Sequence, residues 1–195
     1  MADTQWYPPN TRPRILINWD SFVAQGIPAN WQSPFADAVM NAYTRWQTIA
    51  GVDLRFQFWG YTTKTASDDG ELVISMNRLH HPAESRLAST FGGYNRLIIV
   101  FHRRNGDGTP WNFVPRNARA GEIEMQGVLT HELGHCLGLD HGNDTNATMV
   151  PELQLSQRAL RPVQERCRPR SGTVSEFHTQ PRATNAFDGQ RNVVV

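Results

Sequence analysis

Three histidines stand at positions 131, 135 and 141, in the run His131-Glu132-Leu133-Gly134-His135-Cys136-Leu137-Gly138-Leu139-Asp140-His141. Few folds have a use for that spacing. Residues four apart on a helix are separated by one turn plus about 40° and by about 6 Å of rise, so His131 and His135 project from one face. Two imidazole nitrogens placed that way can close on one zinc ion at about 2.0–2.1 Å. Gly138 adopts a left-handed conformation without steric cost, so it can end the helix and turn the chain. The turn allows His141 to return as a third ligand, which a continuing helix forbids. Glu132 occupies the slot from which a carboxylate acts as general base toward metal-activated water. An H-E-x-x-H pair alone can arise by chance on a helix rich in His and Glu. Gly138 and His141 must each be met independently, and the composition, with 7 histidines, does not favour them.

A chain of 195 residues suits one domain with a sizeable core. Its 39% hydrophobic and 19% charged content is that of an ordinary soluble globular protein. No apolar run approaches the roughly 18 residues that span a bilayer. The formal net charge of +1 offers no general attraction to nucleic acid or an anionic membrane, and neither partner is expected. A monomer is expected. The run Met1-Ala2-Asp3-Thr4-Gln5-Trp6-Tyr7-Pro8-Pro9 lacks the basic start and apolar stretch of a signal peptide, so the expectation is an intracellular protein or a trimmed mature form. Cys136 and Cys167 make no disulfide framework. Cys136 reads as a small buried side chain. Cys167 has three options, in order: free thiol, bridge to Cys136, zinc contact.

Arg14 to Trp19 reads as a first strand after a Pro-rich leader. Ser33 as cap, Pro34 at the first turn and the spacing of Phe35, Val39, Tyr43, Trp46 and Ile49 predict an amphipathic helix over about 34–50, stopped at Gly51. Asp53 to Trp59 alternates as a strand with Leu54, Phe56 and Phe58 inward. Further strands are predicted at 71–76, at 86–91 and at 97–102, the last apolar enough to be buried on both faces. The metal helix is predicted from Glu122 to about Leu137, with Glu122 and Glu124 at its positive end. A last helix starts near Leu155-Ser156. The expected organisation is a leader over 1–11, a catalytic domain over 12–170 and a flexible polar tail over 171–195.

Met149 lies eight residues after His141, and Pro151 follows two later. With these, the run resembles the metzincin zinc endopeptidases, and among them the matrixins, the matrix-metalloproteinase family. Leu155-Ser156-Gln157 with Val163-Gln164 is similar to the matrixin C-terminal helix, and the order strand, helix, four strands, metal helix is similar too. The resemblance covers about residues 12–167 and is tightest over 131–151. It implies an α+β, metzincin-like fold: a five-stranded mixed twisted sheet, a backing helix, a zinc helix and a short C-terminal helix. It makes His131, His135 and His141 the ligands of one catalytic zinc, Glu132 the general base and Met149 the apolar floor beneath the metal. It makes Val150, Pro151 and Glu152 part of the substrate pocket wall. Leu87, Ala88, Ser89 and Thr90 become the edge strand that pairs with an extended protein or peptide substrate. The family's habit implies secretion.

The chain departs from matrixins in places. Gly142 stands where Ser usually follows the third histidine. Ser89 occupies the place of a structural-zinc histidine, so that second zinc is not expected from His102 alone, and the adjacent His80 and His81 read as surface residues. Arg158-Ala159 replace the paired acids that hold a trimmed N-terminus. Asp107 and Asp144 offer oxygen ligands for calcium but read first as solvated turn acids. The leading function is therefore a zinc endopeptidase in which Glu132 activates the zinc-bound water. Its rival is a protease-like module that holds zinc and grips a partner without turnover. A further variant has a downstream glutamate, Glu152 or Glu165, in place of His141 as third ligand.

Overall fold

A computed structural model describes residues 7, 10–49, 55–77, 86–104, 108, 110–142 and 147–150, together with the backbone of 152–154 and 192–194. Runs of β-branched and apolar residues build its main sheet. In chain order the elements are β1 (Arg14–Ile17), α1 (Trp19–Ala24), a 3-10 turn (Ala29–Trp31), α2 (Gln32–Gln47), β2 (Gln57–Tyr61), β3 (Glu71–Asn77), β4 (Ala88–Gly93), β5 (Arg96–His102), β6 (Phe113–Val114), β7 (Ile123–Glu124), α3 (Met125–Cys136), β8 (Glu152–Gln154) and β9 (Asn192–Val194).

The five-stranded sheet runs β2-β1-β3-β5-β4. Four of these strands are parallel, and β4 pairs antiparallel with β5 through a tight turn at Tyr94-Asn95. β3 is buried along its first six residues, as a central parallel strand covered on both faces must be. β4 closes one end of the sheet, and among the described residues no strand pairs with its outer edge. Gly92 is needed within it: at φ 145°, a Cβ there would lie 2.4 Å from the Arg96 carbonyl oxygen. Phe22, Phe35, Phe101 and Phe113 meet at ring separations of 4.8–5.9 Å and join α1, α2, β5 and β6 in one core. The architecture is α+β, a five-stranded mixed sheet with the two long helices α2 and α3.

Several boundaries differ from the sequence expectation. α2 starts at Gln32, two residues early, and Trp31 rather than Ser33 precedes it. α1 was not anticipated; Asn18 caps it by accepting from the Ser21 amide at 3.2 Å. β2 falls at 57–61, later than 53–59, and Leu54 and Gly51 lie outside the described residues. The metal helix begins at Met125, not Glu122. Ile123 and Glu124 are held extended by pairing with Phe113 and Val114, so Glu124 only flanks the helix. From the leader, Tyr7 is fully buried and donates its hydroxyl to the Glu71 carbonyl at 2.8 Å. β8 pairs antiparallel with β9, which belongs to the segment expected as tail. The predicted last helix and the remainder of that tail lie outside the described residues.

Candidate metal centre

α3 delivers the first two histidines. Its helix ends at Cys136, with Leu137 as cap and Gly138 at φ 82°. The Gly138 amide bonds to His135 O at 2.9 Å and the Leu139 amide to Gly134 O at 3.1 Å. This is a Schellman turn, the stop that the glycine predicts. The chain then doubles back and brings His141 to the same place. The three Nε2 atoms lie 3.1, 3.2 and 3.2 Å from one another.

The rest of each ring explains why these nitrogens face inward. His131 Nδ1 donates to Thr148 O at 2.9 Å, and His135 Nδ1 donates to Leu139 O at 2.8 Å. Those bonds fix the tautomer that leaves an Nε2 lone pair on each of these two rings. Lone pairs gathered at such distances repel unless a cation sits among them. Tetrahedral bonds of about 2.0–2.1 Å to zinc put donor nitrogens about 3.3 Å apart, close to the observed triangle. The residues therefore fit a zinc ion, and they form a group of three ligand atoms suited to a metal. Burial, with the neighbouring His135, pushes the His131 imidazole down to about 3 against its bond to Thr148. Burial also lowers His141, opposed by Asp140. Neutral imidazole is the form a metal requires.

Glu132 follows the first histidine and is 1% exposed. Burial pushes its carboxyl up to about 7, against the Thr90 hydrogen bond and the charge of Arg86. A cation in the triad would pull in the opposite direction, toward carboxylate.

Met149 is fully buried against α3. A Cβ on Gly134 would lie 2.2 Å from its sulfur. The loop of Met149 is tied to the histidines twice: Thr148 O receives His131, and Met149 O receives the Gly142 amide at 2.8 Å. Val150 is buried beside it. Leu87 and Ala88 are buried and Ser89 and Thr90 half-buried along β4 and its approach. Pro151, Asp107, Asp144, Glu165, Cys167, His80 and His81 lie outside the described residues, as does the side chain of Glu152. Cys136 is a buried free thiol whose pKa is raised by that burial.

His131, His135 and His141 are thus brought together, and no downstream glutamate is needed to complete the set. The carbonyls of Thr148 and Leu139 were missed from the sequence. Backbone acceptors carry no residue signature, so only the fold reveals them. A family model described as matrixin matches residues 25–165. That span takes in four of the five strands of the main sheet, both long helices and all three histidines. The chain belongs to the matrixin family.

Proposed function

We propose that this protein is a zinc-dependent endopeptidase that hydrolyses internal peptide bonds of protein substrates. The observation that carries the reading is the triangle of Nε2 atoms at 3.1–3.2 Å, with the buried Glu132 next in sequence to one of them. His131, His135 and His141 would hold the metal. Zinc bound there supplies Lewis acidity, acidifying water and polarising a carbonyl. The chain's own groups do the rest. Glu132 takes a proton from the attacking water on a carboxylate oxygen and returns it to the leaving amine. The outer edge formed by Leu87 and the start of β4, through Ala88, Ser89 and Thr90, offers main-chain donors and acceptors to an extended peptide. Met149 supports the metal site from beneath α3, and Val150, Pro151 and Glu152 contribute to the wall of the substrate pocket.

Secretion follows the habit of the family and is part of the proposal, as is action as a monomer. No helix among the described residues is long and apolar enough to cross a membrane. A quenched-fluorescence peptide assay on the purified protein, with zinc measured alongside, tests the activity. Cleavage that is abolished by a chelator and restored by zinc supports it. Zinc held at full stoichiometry without any cleavage, across a broad peptide library, favours a binding module instead.

A further inference from the structure

β4 carries two hydroxyl residues in succession, and the strand sends them to opposite faces. Ser89 Oγ lies 3.0 Å from His102 Nε2. Thr90 turns toward α3, where its Oγ1 is 2.5 Å from Glu132 Oε2 and 3.2 Å from the Glu132 main-chain oxygen. A hydroxyl has one proton to give, and the shorter contact to the carboxylate takes it. Glu132 is 1% exposed, so solvent does little to orient or stabilise that carboxylate. A buried charge needs a donor, and Thr90 is one.

We propose that Thr90 is a positioning residue: its hydroxyl holds Oε2 of Glu132, so that Oε1 is left for the water that the base must deprotonate. The inference rests on the endopeptidase reading above. It also gives β4 a second task. The strand offered to the substrate is the strand that holds the base, so seating a peptide on β4 and aligning Glu132 depend on one short backbone segment.

Thr90→Val keeps the shape of the side chain and removes the donor. A carboxylate set loose by that change lowers kcat about 10–100-fold, on the scale of a small misplacement at a reacting centre. KM and zinc content stay at the wild-type level. Thr90→Ser keeps the donor and restores most of the lost rate. In zinc-free protein, urea unfolding of Thr90→Val, Glu132→Ala and the double variant is non-additive, because the two side chains share one bond and each change removes it. Wild-type kcat in Thr90→Val, a Thr90→Ser enzyme as slow as the valine variant, or an additive cycle each overturns the proposal. If Thr90→Val does not fold, Thr90→Ala carries the same readouts. Undiminished cleavage by Glu132→Gln removes Glu132 as the base, absence of any cleavage by the zinc-loaded wild type overturns the endopeptidase reading itself, and in either case the zinc-free cycle still decides the contact.

Discussion

The indole of Trp46 donates to the carbonyl of Thr130 at 2.7 Å, one residue before the first histidine of the triad. Trp46 sits in the last turn of α2 and is 4% exposed. The bond therefore couples the backing helix to the metal helix inside the core.

Trp46→Phe removes the donor and leaves a cavity where the larger ring was. Thr130 O keeps its partner along α3, so the lost bond costs about 0.5–1.5 kcal/mol, and the lost ring volume adds to that. Denaturant unfolding of the zinc-free protein should show a loss of about 2–4 kcal/mol with an unchanged m-value. A loss under about 0.5 kcal/mol, the scale of a surface change, would mean that the two helices are held by packing elsewhere.

Gly134 is constrained on the same face of the helix, one turn on. A Cβ there would lie 2.2 Å from Met149 Sδ and 3.0 Å from Trp46 Cζ2. Alanine is the better helix former by about 1 kcal/mol. Overpacking a closed core costs about 1–3 kcal/mol. Steric cost wins here, because Met149 is fully buried and has an indole next to it. Gly134→Ala is expected to be destabilising by about 1–2 kcal/mol net. Shortening the sulfur side chain should remove the clash, so Gly134→Ala in a Met149→Ala background should cost nothing or stabilise. Equal costs in both backgrounds would show that the glycine is needed for another reason.

The N-terminal ends of the parallel strands carry a charge cluster centred on Glu71. Its carboxylate is bonded by Lys64 Nζ at 2.9 Å and by the Asp68 amide at 3.1 Å, and Arg14 lies 3.3 Å away. Burial opposes ionisation, but the bonds from Lys64 and the Asp68 amide outweigh it, and the carboxyl is held below its ordinary value. A depressed carboxyl pKa contributes stability that is complete above the unfolded-state value and is lost as pH falls through the folded-state value. Glu71→Gln should therefore melt below wild type at neutral pH. The gap should close as pH falls through and below the ordinary glutamate range. A gap that stays constant down to the acid limit would assign the loss to packing instead of charge.

Much of this was legible from residue spacing. The turn at Gly138, the pairing of His131 with His135 and the strands β1, β3 and β5 each depend on local pattern, and local pattern is what sequence displays. Features that depend on distant partners were not. α3 starts at Met125 because Ile123 and Glu124 pair with Phe113 and Val114, and helix signals at Glu122 could not weigh that competition. Thr90 meets Glu132 across 42 residues and Trp46 meets Thr130 across 84. Such contacts exist only once the sheet has ordered its strands. α1 was readable in principle: Asn18 with Ser21 is a capping pair, but the apolar flow from β1 into Trp19 disguised it as one longer strand.

The remaining prediction separates holding the metal from using it. The Nε2 atoms of His131, His135 and His141 lie 3.1–3.2 Å from one another, and two of the rings are held in that orientation by Thr148 and Leu139. The locks mean that the site cannot relax by rotating its rings without giving up buried hydrogen bonds. Zinc should therefore raise the melting temperature, and the rise should grow with free zinc as binding to the folded state alone requires. His141→Ala removes one corner and should weaken zinc retention and erase most of that rise. Glu132→Ala touches no corner. It should keep the zinc-dependent rise and lose cleavage by more than about 100-fold, the scale of a missing general base. Zinc lost from Glu132→Ala as readily as from His141→Ala would make the carboxylate a ligand. Cleavage kept by Glu132→Ala would remove it from the chemistry, because no other acid is fixed next to the triad by the helix itself.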